Sequence, residues 1–317
     1  MKIIAALALL LATSAFGQGY PSKPIRLVVG FAPGGAADTV ARAYAEPLGR
    51  ILGQPIVIEN RAGAGSSIAA ENVAKSPADG YSILIASPAS ISVNPTINPN
   101  LTYKPSDLAP VTKVSTSPLL IVVNPSAGIN SVKELVAHAK KNPGKLNYAT
   151  SGVGSAPHFG AALFSQVTGV DMVHVPFKGG SPAVVSLVAG DTQLSFATPP
   201  SVLPMVKAGR LRALALTSPE RSPLMPEVPG MIEAGFPDYS IAFWYGLFVP
   251  AGTPPEIIRK LYDATIAASQ RPEVKATLAR EGTEVAVSKS PEEFAAFLAQ
   301  DAKLWVRLAK DSGAKAE

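Results

Sequence analysis

Apolar residues along the chain fall into short runs, separated by longer stretches in which they recur every three or four positions. The runs IRLVV (25–29), IVI (56–58), YSILIA (81–86), LLIVV (119–123), LNYA (146–149), MVHVPF (172–177), QLSFA (193–197), LRALAL (211–216) and WYGLFV (244–249) read as strands. The periodic stretches at about 35–52, 66–75, 131–141, 157–168, 181–189 and 200–208 read as helices. Strand, helix and strand repeated in this way predict an α/β fold with parallel sheets covered by helices on both faces. From Pro254 onward the pattern is helical only, at 254–270, 272–281 and 291–311, and this segment is expected to pack back onto an existing lobe. Pro47 falls inside the first helix and predicts a kink or break near Ala45, because proline removes one helix hydrogen bond and clashes with the preceding turn.

The chain begins MKIIAALALLLATSAFGQGYPSKP: one cation at Lys2, an unbroken apolar run, then the small residues Ala15 and Gly17. That three-part pattern is a secretory signal peptide, 1–17, with cleavage near Gly17. Its apolar run is shorter than the ~20 residues a spanning helix needs. The mature protein is therefore expected outside the cytoplasmic membrane. With 317 residues, 47% hydrophobic and 16% charged, the composition is globular and predicts about two domains. The absence of cysteine removes disulfides, thiol nucleophiles and thiolate metal sites. His138, His158 and His174 are not spaced as a ligand pair, so no metal and no cofactor is expected. Removing Lys2 lowers the net charge from +5 to +4, and the cations are scattered rather than striped, which speaks against nucleic acid as a partner.

The predicted helix starts share a chemical signature. APGGAAD (32–38), RAGAGSS (61–67), SGVGSAPH (151–158), KGGSP (178–182) and ATPPS (197–201) each put Gly, Ser, Thr or Pro where a strand turns into a helix. Ser155 with Pro157, and Ser181 with Pro182, fit an N-cap followed by a first-turn proline. Ordinary βα turns need the same residues. A helix N-terminus nevertheless exposes unpaired N–H groups and the positive end of the helix dipole, so it can hold an anion without a charged side chain. Nucleotide binding fits poorly: G-x-G-x-x-G is absent, no lysine follows GAGSS at P-loop spacing, and Lys178 precedes its glycines. Ser155 and His158 lie three apart, but G-x-S-x-G is missing and no acid is placed to orient the histidine. Asp38 and Glu59 lack a partner acid for glycosidase chemistry, and Asp38 with Arg42 reads as a structural i, i+4 pair.

Taken in order, YPSKPIRLVVGFAPGGAADTVAR, LGQPIVIENRAGAGSSIAAENVAKSPADGYSILI, GKLNYATSGVGSAPHFGAALF, VHVPFKGGSPAVVSLVAGDTQLSF, EVPGMIEAGFPDY and WYGLFVPAGTP resemble the extracytoplasmic solute-binding receptors of tripartite tricarboxylate transporters, often called Bug proteins. The resemblance runs from about Tyr20 to the C-terminus. It implies a periplasmic binding protein of type II-like fold: two α/β lobes with a ligand cleft between them. Lobe 1 would comprise 18–121 plus 246–317 and lobe 2 would comprise 122–245, with LLIVV and GLFVP as the hinge crossings. It also implies a small organic carboxylate as ligand, held by backbone N–H groups and hydroxyls rather than by an arginine.

Carried over by position, the first-lobe contacts are Phe31, Ala32, Gly34, Gly35 and Ser87, and the second-lobe contacts are Ser151, Gly154, Ser155, His158 and Thr198. Gly34 and Gly35 are expected to offer backbone N–H groups. Two positions depart from the family pattern. Ala197 and Thr198 stand where many relatives carry an aspartate, which argues against an amino acid ligand, and SPASISVNP (87–95) replaces a Thr-Gly or Asn-Gly turn. Phe31, Phe177 and Trp244 would permit an aromatic or longer acid, with Phe177 and Trp244 read as core. The implied function is a monomeric, non-enzymatic receptor that delivers an aliphatic or aromatic mono- or dicarboxylate to membrane transporter subunits. A ligand sensor signalling to a membrane sensor kinase is the alternative, and a secreted hydrolase using Ser155 and His158 is the alternative of another class.

Overall fold

The computed structural model describes residues 19–311, so the segment read as a signal peptide lies outside the described residues. The chain opens with strand β1 (Ile25–Val29), helix α1 (Ala36–Leu52), strand β2 (Ile56–Asn60), helix α2 (Ser67–Ala74) and strand β3 (Ser82–Ala86). A one-turn helix α3 (Asn94–Ile97) leads into the long strand β4 (Leu108–Pro118) and then β5 (Leu120–Val123). Next come α4 (Val132–Lys141), β6 (Asn147–Thr150), α5 (Ala156–Thr168), β7 (Val173–Pro176), α6 (Gly180–Ala189), β8 (Leu194–Ala197), α7 (Pro199–Lys207) and β9 (Arg212–Leu216). The chain finishes with α8 (Met231–Ala234), β10 (Ala242–Pro250), α9 (Pro255–Ser269), α10 (Pro272–Arg280), β11 (Glu284–Val285) and α11 (Pro291–Asp311).

These strands form two sheets, ordered β11-β4-β10-β3-β1-β2 and β7-β6-β8-β5-β9. In the first, β2, β1 and β3 are parallel, and β10 runs against both β3 and β4. In the second, β6 is parallel to β7 and β8, and β5 runs against β8 and β9. Alternation along β1 explains why both faces of the first sheet are covered. Ile25, Leu27 and Val29 meet Val40, Tyr44 and Leu48 of α1, whereas Val28 points the other way to Ala69, Ala70 and Val73 of α2. Helix α1 runs unbroken through Pro47. One lost hydrogen bond is tolerated there because Tyr44 and Leu48 anchor the turns around it in the core.

The sheets are joined by two crossings that lie side by side. Only Leu119 separates β4 from β5, and the chain returns between β9 and β10. Thr217 stitches the crossings together. Its hydroxyl accepts from the Leu119 N–H at 2.7 Å and donates to the Ile241 carbonyl at 2.7 Å, while its N–H donates to the Leu119 carbonyl at 2.9 Å. Ala242 pairs with Pro118 and Phe243 with Ser117, which puts the return upstream of the 246–250 stretch expected to hold it. Helix α11 spans the back of both sheets. Its Phe294 fills the space beside Gly246, Asp301 accepts from Trp244 Nε1 at 2.7 Å, and the fully buried Trp305 meets Phe159 of α5 edge-on at 6.0 Å. Trp244 is thus core, as expected. Among the described residues no helix is long and apolar enough to cross a membrane.

Replacing Thr217 by the isosteric valine orphans a buried N–H and a buried carbonyl, each costing about 1–3 kcal/mol. Urea unfolding of Thr217→Val should therefore show a lower midpoint with an unchanged slope.

Candidate functional site

The turn after β1, the turns after β6 and β8, the start of α6 and the first residues of β10 converge on one small, partly open cavity between the sheets. Phe31, Gly35, Ala36 and Ala37 line it from the first sheet, together with Phe243 and Tyr245 of β10. Ser151, Ser155, Ala156, Pro157, Gly180 and Thr198 line it from the second. This is the crevice beyond the C-terminal strand ends that open α/β sheets use for ligands. No lining residue carries a charge.

The polar character comes from backbone and hydroxyls. Gly35 begins α1 without a side-chain cap, so the first-turn N–H groups of Ala36 and Ala37, both buried, have no acceptor among the described residues. The N–H of Ala156 at the start of α5 is in the same position. Ser155 has its hydroxyl turned back to the Gly152 carbonyl at 2.6 Å, leaving its oxygen lone pairs for a donor rather than an anion. Thr198 and Ser201 share a 3.0 Å hydroxyl contact. Pro199 and Pro200 remove the N–H groups that the ATPPS turn was expected to expose, so that turn contributes a hydroxyl alone. Tyr245 is buried in the wall, and its hydroxyl makes no hydrogen bond among the described residues. Burial pushes this phenol well above its ordinary pKa, so it is a hydrogen-bond donor at every working pH.

The carried-over residues therefore divide. Phe31, Gly35, Ser151, Ser155 and Thr198 meet at the cavity, and Ala32, Gly34, Ser87, Gly154 and His158 do not line it. Gly34 does not offer its N–H to the cleft, because that group donates to Asp38 Oδ2 at 3.0 Å. Asp38 also accepts from Arg42 at 2.8 Å and from Asn60 Nδ2 at 3.0 Å, and Asn60 donates in turn to the Phe31 carbonyl. Burial raises this carboxyl, but the hydrogen bonds from Arg42, Gly34 and Asn60 outweigh it and hold Asp38 below its usual pKa. The ionised aspartate thus pins the loop rather than contacting ligand. Gly154 likewise spends its N–H on His158 Nδ1, at 3.3 Å. Ala32 instead faces Gly179 of the other lobe, where an added methyl would stand 3.2 Å from Ala32 Cβ. Ser87 is fully buried beneath the loop with no partner for its hydroxyl. Phe177, read as core, is half-buried in the wall of a neighbouring cavity.

His158 stacks on His174 at 4.2 Å, and His174 on Tyr148 at 5.1 Å, with Thr150 Oγ1 2.7 Å from His174 Nε2. Neither partner that hydrolysis would require is in place: the Ser155 hydroxyl points to Gly152, and His158 Nδ1 is occupied by Gly154. The cleft residues missing from the carried-over set are Ala36, Ala37, Ala156, Pro157, Gly180, Phe243 and Tyr245. Phe243 and Tyr245 had a signal, since residues two apart on a strand share a face.

Two sheets joined by paired crossings, with a charge-free crevice ringed by helix N-termini, define a bilobal solute-binding protein. The tripartite tricarboxylate transporter family receptor signature, TctC, matches residues 40–314, and the chain belongs to that family. Protein BugT of Bordetella pertussis is 36% identical over 321 aligned residues, covering 99% of this chain and 98% of its own. Among solved structures, a protein of R. palustris with adipate superposes at TM-score 0.89 with 34% identity, covering 93% of this chain and 99% of that one. MatC from Rhodopseudomonas palustris with bound malate superposes at 0.85 with 31% identity, covering 92% and 100%. The family is one of solute-binding receptors, not enzymes.

The histidine stack generates a pH dependence. Burial, and then the charge of His174, pulls His158 from 6.5 down to about 3, and burial alone pulls His174 from 6.5 to about 4. Between those values and 6.5 the unfolded chain binds protons that the folded chain does not, so stability falls as pH drops below 6.5. For His158 the loss amounts to roughly 2 kcal/mol by about pH 5. Urea midpoints measured at descending pH should fall across this window, and the fall should be shallower in a His158→Asn, His174→Gln double variant.

Proposed function

We propose that this chain is a periplasmic receptor that captures a small organic carboxylate between its lobes and presents it to the membrane subunits of a tripartite tricarboxylate-type transporter. The observation that carries this reading is the set of unpaired first-turn N–H groups at Ala36, Ala37 and Ala156 around a cavity with no charged side chain. Such a site favours an anion over a cation or a sugar, because buried donors need acceptors and the dipoles of α1 and α5 both present their positive ends. The adipate and malate held by the two R. palustris proteins are acids of the proposed class. Export by the 1–17 segment would place the receptor where its family works.

In this reading the first lobe holds the six-stranded sheet, up to Pro118 and again from Ala242 onward, and the second holds the five-stranded sheet from Leu120, so that the expected boundaries at 121/122 and 245/246 move to the pivot formed by Leu119, Thr217 and Ile241. The hydrogen bonds of the Thr217 hydroxyl to Leu119 and Ile241 let the crossings twist together while the pairing within each sheet stays intact. The lobes already touch: Ser181 Oγ reaches the Pro33 carbonyl at 3.5 Å, and Gly154 packs against Asn94. The receptor is proposed to work as a monomer. Transporter subunits, or a sensor kinase, would read the face that closure completes.

A thermal-shift panel of carboxylates, amines and sugars tests the reading. An acid at 100 times its Kd adds about 2.7 kcal/mol, which for a chain of this size raises Tm by about 4 °C. Tyr245→Phe should weaken the same acid about tenfold or more, the scale of one hydrogen bond to a charged group. Shifts with amines or sugars alone would refute the proposal.

A further inference from the structure

A cavity that shares no residue with the cleft lies between α5, the last turn of α11, β6 and the turn that enters β7. Two aromatic rings that line it, Tyr148 and His158, belong to residues only 7% and 6% exposed. His158 Nδ1 accepts from the Gly154 N–H at 3.3 Å, so the neutral ring carries its proton on Nε2, and that N–H has no acceptor among the described residues. The Tyr148 hydroxyl makes no hydrogen bond among them either, although its ring is held by stacking on His174 at 5.1 Å. Neither polar atom is among those sealed inside the protein without a partner, so each opens on the cavity that its ring lines.

The rest of the lining sorts by depth. Val170 and Leu308, both buried, give the cavity apolar walls, and the exposed Asp171 and Asp311 stand at its rim. Among the described residues these two aspartates are the only charged groups of the lining. Two buried donors need an acceptor, but a carboxylate is the wrong one here: no cation lines the cavity to compensate a buried anion, and the rim already carries two negative charges. A neutral oxygen suits the floor, and an ammonium group suits the rim. The preference is thus opposite in sign to that of the cleft, whose helix starts favour an anion.

We propose that this cavity is a second binding site, for a small organic amine that carries a neutral oxygen acceptor on a short apolar stem, such as an amino amide. The acceptor takes hydrogen bonds from His158 Nε2 and the Tyr148 hydroxyl, the stem lies along Val170 and Leu308, and the ammonium meets Asp171 and Asp311. Because the rim is wet, its carboxylates contribute modestly, and the buried donors supply most of the selectivity. The site stands apart from the carboxylate reading of the cleft, and either can fail without the other.

The test is an amide NMR titration of the full mature protein with straight-chain ω-amino amides of four to six carbons, alongside the alkylamines and alkanamides of matching length. At least one amino amide should bind about fivefold tighter than its amine and amide counterparts, with the shifts centred on Tyr148, Val170 and Asp171. Tyr148→Phe should weaken that amino amide about fivefold, the scale of one hydrogen bond. An Asp171→Asn, Asp311→Asn double variant should weaken the amino amide and the alkylamine two- to fivefold while leaving the alkanamide within twofold. Both aspartates are exposed and the Tyr148 hydroxyl has no partner to lose, so the variants should keep the ligand-free Tm; if Tyr148→Phe lowers it, the aspartate variant decides alone. No binding by any amino amide, shifts centred instead on Ala36 and Ala37 of the cleft, or an amino amide affinity unchanged in the aspartate variant would overturn the second site and leave the carboxylate receptor standing.

Discussion

Every α-helix begins with N–H groups that have no carbonyl behind them, and most proteins leave those groups to water or to a capping side chain. Here Gly35 supplies no cap, and the N–H groups of Ala36 and Ala37 are buried between two lobes. Burying such donors is unfavourable until an acceptor arrives, and the fold's larger features serve that end. The parallel strands aim their C-terminal turns at one crevice, the antiparallel β10 closes its floor with Phe243 and Tyr245, and Asp38 holds the Phe31–Gly35 loop by bonding Gly34 and Asn60. The carboxylate of Asp38 therefore shapes the anion site from behind without entering it.

Closure depends on a second constraint, the absence of side chains where the lobes meet. Gly154 has φ +77, and a methyl there would stand 2.9 Å from Asn94 Oδ1; Gly179 has φ +138 and faces Ala32. These glycines serve approach as well as backbone conformation. At the opposite end of each lobe, Thr217 ties Leu119 to Ile241, so the crossings bend as a unit while α11 braces both lobes from behind through Trp305 and Phe159.

Much of this was legible in the residues. Apolar runs alternating with helical periods marked β1 through β3 and β5 through β9, clearest in β1, β3, β5 and β8, whose burial on both faces makes them almost continuously apolar. Strand β4 escaped notice since LAPVTKVSTSP mixes Thr, Ser and Lys with its valines, and its pairing with β10 is a tertiary fact that no local pattern carries. The glycine-rich turns pointed to an anion site, but which N–H groups face it did not follow from composition. Gly34 and Gly154 lost theirs to Asp38 and His158, side chains four residues along. The donors that remain free belong to plain alanines. Phe177 reads as core beside VHVP, and only the approach of the other lobe makes it a cavity wall.

The central claim is that the carboxylate is held by backbone donors rather than by a cation. Amide NMR of the labelled protein, titrated with a monocarboxylate selected by thermal shift, addresses it directly. The account predicts that the Ala36, Ala37 and Ala156 amide protons move strongly downfield together, at one midpoint, as hydrogen bonds to the carboxylate form. It would be contradicted if those three resonances stayed in place while binding saturated and the perturbation centred on a lysine or arginine side chain.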